Sequence, residues 1–166
     1  MTAVTRIDEH ADPQGVVAID CLVVRLDRVA YALRLADVAE VHQLVAATAT
    51  PDARGGFVGY VDVRGRVVPI VDLRLALNGE CLPWDASMHM VVARAGIGLV
   101  ALAVDRVDGV VPGILESPGT AVEHAAVGAV ARTEELGLVP VLDPDALLEP
   151  VDGALDATDA AREAVS

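Results

Sequence analysis

A short motif occurs twice in this chain, and the spacing of its two copies constrains the fold more than any other feature. Val68–Asp72 (V-P-I-V-D) recurs as Val139–Asp143 (V-P-V-L-D), 71 positions later (139 against 68). Upstream, V-x-x-V at residues 38–41 recurs at 107–110, each time just after a predicted hairpin. Two copies of one plan predict two small subdomains, because each repeat is one structural unit that packs on its neighbour.

Within each copy the apolar residues alternate as they do in β-strands. The alternation from Leu22 to Leu26 resumes from Val29 to Leu35 after a turn at Asp27–Arg28, which predicts a hairpin with one buried face. Two further hairpins are predicted by the same pattern, over 58–71 with its turn at Arg64–Gly65 and over 88–104.

Helical signals are few. Asp72 is a candidate N-cap for a short helix over 73–77, and Asn78–Gly79 is a candidate stop. Residues 120–132 combine alanines with Gly128 and β-branched valines, so their pattern leaves helix and strand both open.

The ends of the chain differ from its middle. Residues 1–18 have no periodicity and predict a mobile arm, and residues 151–166 form an acidic, alanine-rich tail. The ordered body is therefore predicted over 19–150, with subdomains at about 19–85 and 86–150. Because a unit of this size has a small core when alone, the two are expected to share an apolar interface.

Charge and composition exclude several classes of function. The chain has 25 acidic residues against 12 arginines and no lysine, a formal net charge of −13. Nucleic acids and anionic membrane surfaces would repel such a chain. No apolar run approaches the ~20 residues of a membrane helix, and no secretory signal is visible, so a cytoplasmic location is expected. Cys21 and Cys81 match no redox or disulfide pattern and are interpreted as small buried apolar residues.

The sequence predicts neither a metal site nor a cofactor. The four histidines have no metal-binding spacing, and the serines, threonines and cysteines stand in no known nucleophile motif. One enzymatic alternative remains, a small acid–base enzyme that would use Asp62, Asp72 and a histidine.

Basic charge is concentrated on the second hairpin. Residues 51–74 carry a net charge of +1, whereas the other 142 residues carry −14. Arg64 precedes Gly65 at the hairpin tip, and two interpretations are open. It is either a solvated turn residue beside a permissive glycine, or an arginine presented to a carboxylate of a partner protein.

At this hairpin the sequence resembles a known family. Gly59–Arg74 reads G-x-x-D-V-R-G-R-V-V-P-I-V-D-L-R, which is similar to the signature G-x-x-N-L-R-G-x-x-x-P-I-V-D-L-R of CheW-like chemotaxis adaptors. Val38–Val41 resembles the family's V-x-E-I segment, Val104–Val110 its V-D-x-V segment, and Val139–Leu148 its closing strand and short helix. The resemblance covers about 19–150, although residues 113–135 match poorly.

The resemblance implies two five-stranded barrels of the Src-homology-3 type, packed together. It also implies a protein without catalytic activity, which bridges the cytoplasmic tips of chemoreceptors to the regulatory, CheW-like domain of a chemotaxis histidine kinase. A scaffold of a pilus-type, non-flagellar chemosensory pathway is the alternative within the family. The positions that the resemblance places at or near partner-contacting surfaces are Val38, Glu40, Val41, Asp62, Val63, Arg64 and Gly65. Asp62-Val63 replaces the family's usual Asn-Leu, so Asp62 is expected to compete for the Arg64 guanidinium or to change partner preference.

Overall fold

The fold, described by a computed structural model for residues 10–11, 15–118 and 124–148, consists of β-strands and a few short helical segments. The strands are β1 (His10–Ala11), β2 (Val17–Leu26), β3 (Val29–Arg34), β4 (Val38–Gln43), β5 (Thr48–Arg54), β6 (Phe57–Val63), β7 (Arg66–Asp72), β8 (His89–Ala95), β9 (Gly98–Val104), β10 (Arg106–Glu116), β11 (Val127–Thr133) and β12 (Gly137–Leu142). The helical segments are a 3-10 turn (Leu35–Asp37), helix α1 (Leu73–Asn78) and residues 144–148. None of these described helices is long and apolar enough to span a membrane. The predicted all-β class is confirmed.

These strands form two sheets. Sheet 1 has the order β1-β2-β10-β11-β12-β3, and because β2 also pairs with β3, the five strands other than β1 close into a barrel. Sheet 2 has the order β4-β8-β9-β7-β6-β5. Sheet 2 curls until Glu40 of β4 forms an ion pair with Arg64 of the β6–β7 hairpin. The expected all-β architecture of two packed units is confirmed, with one closed five-stranded barrel and a second, six-stranded sheet that is curled but not closed by strand pairing.

The predicted local elements are present. β2 pairs with β3, β6 with β7, and β8 with β9, all antiparallel. The side chain of Asp72 accepts the backbone N–H of Arg74 and caps helix α1, and Gly79 ends the helix in the left-handed conformation (φ 69°). Each of these features follows from short-range pattern and turn chemistry.

The two copies of the repeat exchange their hairpins. The β2–β3 hairpin of the first copy completes the barrel of β10, β11 and β12, and the β8–β9 hairpin of the second copy completes the sheet of β4, β6 and β7. The exchange is symmetric. Ile70 of the first motif pairs in parallel with Ala101 of β9, and Val141, the equivalent residue of the second motif, pairs in parallel with Ala32 of β3. The exchange corrects the predicted division near residue 85. Sheet 2 takes a continuous segment, while sheet 1 takes strands from both ends of the body.

The largest apolar core lies between the two sheets. It has sixteen buried residues, against eight in the core of sheet 2 and seven in that of sheet 1. Leu22, Val24 and Leu33 reach it from sheet 1, and Val91 and Leu102 from sheet 2. This is the apolar interface expected from the small size of each unit, and it joins both sheets into one body.

The predicted arm and tail are described only in part. His10 and Ala11 pair with Ala18 and Val17 of β2, so ordered structure begins before the predicted boundary at residue 19. Residues 1–9, 12–14 and 149–166, including the predicted acidic tail, lie outside the described residues. In the stretch 120–132, whose pattern left helix and strand open, residues 127–132 belong to β11.

The two cysteines differ in exposure, which corrects one half of the expectation. Cys21 is buried, and Cys81 is exposed. Burial, with the charge of Asp20, raises the pKa of the Cys21 thiol to about 11.

Because the thiolate is the reactive form, we expect iodoacetamide at pH 8 to alkylate only Cys81 in the folded protein, and Cys21 only after unfolding. Mass spectrometry of wild type and Cys81→Ser checks this, and rapid labelling of Cys21 in the folded state would contradict it.

Candidate functional site

The tip of the β6–β7 hairpin is a tight turn with an arginine in an unfavourable backbone conformation. Val63 pairs with Arg66, which leaves Arg64 and Gly65 as a two-residue turn. Their φ angles are 53° and 82°, as a type I′ turn requires. Glycine and asparagine accept positive φ readily, whereas other residues pay about 1 kcal/mol or more. An arginine at position 64 therefore does not stabilise the fold through its backbone conformation.

Asp62 stabilises this turn. One of its carboxylate oxygens accepts the backbone N–H of Gly65 at 2.7 Å. The guanidinium of Arg64 contacts Glu40 instead, with 3.5 Å between Nη1 and Oε1. Asp62 thus acts as a turn cap, which corrects the expectation that it competes for the Arg64 guanidinium.

Glu40 is shared by two basic groups. Its other oxygen, Oε2, is hydrogen-bonded to Nε2 of His42, two residues along the same strand and therefore on the same face. The hydrogen bond with His42 and, less strongly, the positive charges of Arg64, His42 and Arg66 lower the pKa of the Glu40 carboxyl. Glu40 is consequently an anion at neutral pH that links β4 to the hairpin tip.

A groove of about 340 Å³ opens beside this cluster. His42, Arg64, Asp62, Val45 and Met90 contribute to its walls. The Arg64 side chain is 75% exposed. An exposed arginine next to apolar surface is the composition that is enriched in protein–protein interfaces.

The predicted site residues do not all lie at this surface. Glu40, Asp62, Arg64 and Gly65 meet at the hairpin tip, and Val41 on the neighbouring strand is 41% exposed.

Of the remaining predicted residues, Val38 faces elsewhere and Val63 is almost fully buried. Val38 is half-buried against the core between the sheets, and its carbonyl accepts a hydrogen bond from Nη1 of Arg94 at 2.9 Å. Val63 is 5% exposed and belongs to the core of sheet 2, at the point where this core reaches the wall of the groove. Alternation along β6 already indicated this, because Val61 and Val63 share one face while Asp62 occupies the other.

A buried polar network lies at the far end of β7. Oδ2 of Asp72 accepts the indole N–H of Trp84 at 2.9 Å. Arg74 contacts Oδ1 of Asp72 at 3.5 Å and Oδ1 of Asp105 at 3.6 Å, and it donates to the carbonyl of Leu82 at 3.1 Å. The D-L-R part of the signature therefore ties the segment after helix α1 to the connection between β9 and β10.

The residues of the enzymatic alternative are not assembled into one site. Asp62 lies in the hairpin turn and caps it, whereas Asp72 ends β7 and is held by Arg74 and Trp84. Among the described residues, no three His, Cys, Asp or Glu side chains form a group that could hold a metal ion.

Sequence reasoning missed His42 as a member of the site. The alternation of β4 places it on the same face as Glu40, and this was the available signal.

The second copy of the repeat lacks a cation at the equivalent turn. Thr133 there accepts the Leu136 N–H at 2.9 Å, as Asp62 accepts that of Gly65, but Glu134 and Glu135 follow it. Only the first copy presents an arginine.

Comparisons with known proteins agree with this fold. A family model described as the CheW-like domain matches residues 20–151. The crystal structure of the scaffolding protein TtCheW from Thermoanaerobacter tengcongensis is similar, with a TM-score of 0.70 and 24% sequence identity over 79% of this chain and 92% of that chain. A search of curated proteins gives no significant match.

Proposed function

The chain belongs to the CheW-like domain family, and we propose that it is a non-enzymatic adaptor that couples chemoreceptors to a chemotaxis histidine kinase. Its partners are the regulatory domain of the kinase, itself of CheW-like fold, and the cytoplasmic tip of a chemoreceptor. This role places the protein in the cytoplasm. The observation that carries the proposal is the exposed Arg64, held at positive φ on the hairpin tip and paired only loosely with Glu40.

The backbone strain at Arg64 supports a binding role. A residue held in a sparsely populated conformation at an exposed position contributes little to stability, and such residues cluster at functional sites. The ion pair with Glu40 spans 3.5 Å at the surface, between the exposed Arg64 and the half-buried Glu40, and surface pairs contribute about 0–1 kcal/mol. A partner carboxylate can therefore replace Glu40 at little cost and form a bidentate contact with the guanidinium.

The rigid junction of the two sheets also suits a bridging role. The core between the sheets and the hydrogen bond from the Asp105 N–H to the Arg25 carbonyl at 3.0 Å fix their relative position. An adaptor with two partners requires such a fixed geometry between its binding surfaces.

We expect Arg64→Ala to weaken binding of the kinase regulatory domain by about 5- to 150-fold, the effect of removing a charged interface anchor. Its free energy of unfolding should change by no more than about 0.5 kcal/mol. Arg64→Asn should lose the same affinity while unfolding at equal or slightly higher denaturant concentration, because asparagine suits this turn. Isothermal titration calorimetry and urea unfolding measure the two quantities.

Arg28→Ala is the matched control, since Arg28 is an exposed arginine at the tip of the β2–β3 hairpin. It should bind like wild type. Unchanged affinity in Arg64→Ala would remove the hairpin tip from the interface. No binding of wild type to the regulatory domain of any chemotaxis kinase from its own cell, flagellar or pilus-type, would refute the adaptor role itself.

A further inference from the structure

We propose that His42 controls how available Arg64 is to an acidic segment of the partner protein, because the two residues share the Glu40 carboxylate. The inference rests on the proposed binding role of Arg64. It assigns to His42 a positioning role that makes binding stronger at lower pH.

The two contacts of Glu40 are unequal. The His42 contact is a hydrogen bond, and it is the main cause of the lowered Glu40 pKa. The Arg64 contact, at 3.5 Å, is longer than a hydrogen bond of good geometry. Glu40 is thus held mainly by His42. Because Glu40 is an anion, this bond is already charge-assisted, and a proton gained by the imidazole turns it into a full ion pair, which holds Glu40 more strongly and weakens its attraction for Arg64.

Protonation of His42 changes the net charge of the groups around it. Its own strand contributes Glu40, and the β6–β7 hairpin contributes Asp62, Arg64 and Arg66, whose formal charges sum to zero. Protonation of His42 therefore changes the cluster from neutral to +1. Imidazole is the side chain that changes charge between pH 5 and 8.

The groove makes this charge accessible to a partner carboxylate. His42 and Arg64 both line it, so a partner carboxylate seated there meets the guanidinium and the imidazolium together. Strand β8 contributes one more titratable group nearby, His89, which pairs with Gln43 and whose Nδ1 has no hydrogen-bond partner. His89 is absent from the groove wall and serves as the control.

The test measures the affinity for the kinase regulatory domain between pH 5.5 and 8.5. From the alkaline to the acidic end, we expect the affinity of wild type to rise roughly 3- to 10-fold more than that of His42→Gln, which keeps a neutral donor. His42→Arg should bind tightly at both ends, and His89→Gln should retain the wild-type profile.

A second readout is proton uptake on binding, measured by calorimetry at pH 7 in buffers of different ionisation enthalpy. Wild type should take up a fraction of a proton that His42→Gln does not. Identical pH profiles and identical proton uptake in these two proteins would overturn the role of His42 while leaving the adaptor function intact. Absence of binding at every pH would instead refute the proposed function on which this inference rests.

Discussion

Fragments 1–80 and 81–166 will each be unfolded alone and will assemble into the native fold when they are mixed. The cut falls in an exposed segment between helix α1 and β8. It separates β3 from β12, β4 from β8, and β7 from β9, so neither fragment can complete a sheet. Each also leaves its half of the central core open to water. Circular dichroism and amide NMR dispersion of the separate and mixed fragments measure the effect.

A protease site between Glu80 and Cys81 of the intact chain provides the control. After cleavage of the folded protein, the two pieces should coelute and unfold in one calorimetric transition, because the strands that hold them together are unchanged. A cooperative transition in either fragment alone would mean that the halves fold independently. Two separated transitions in the intact chain would show that the sheets are not one rigid body, and the bridging geometry would have to be abandoned.

Asp72→Ala will lower the free energy of unfolding by about 3–5 kcal/mol. Asp72 is 4% exposed and Arg74 is 7% exposed. The substitution removes the cap of helix α1 and the acceptor of the Trp84 indole, and it leaves a buried guanidinium without its nearest carboxylate. Trp84 is the only tryptophan of the chain, so its fluorescence reports urea unfolding directly.

The repeat supplies the matched control for this prediction. Asp143 is the equivalent aspartate of the second copy, and its carboxylate accepts the backbone N–H of Asp145 at 3.0 Å. The position that corresponds to Arg74 is Asp145, so no buried arginine depends on Asp143. Asp143→Ala should therefore cost only the cap, about 0.5–2 kcal/mol. Equal losses in the two variants would show that the buried ion network contributes nothing.

Local elements of this fold were predictable because their causes are local. Alternation over a few residues determines which face of β2, β6 or β8 is buried, and a Gly after Arg64 or Asn78 sets a turn or a helix end. The capping role of Asp72 needs only the two residues that follow it. Even the burial of Val63 could be deduced from its alternation with Asp62.

The candidate site was predictable only in part. Residue types and charge singled out Arg64, and the family resemblance added Glu40. That these two meet depends on the curl of sheet 2, which brings β4 to the β6–β7 hairpin although three strands separate β4 from β6 in the sheet order. His42 belongs to the cluster only because Glu40 is turned toward the hairpin.

The sequence by itself determined the strands, the turns and the existence of two equivalent copies, whereas only the tertiary structure decided which copy completes which sheet. The edges of β3 and β9 present the same row of backbone N–H and C=O groups to any strand. From its alternating apolar pattern alone, either β3 or β9 could therefore pair equally well with β7 or with β12. The choice depends on contacts between residues far apart in the chain, above all the core that Leu22, Leu33, Val91 and Leu102 build between the sheets.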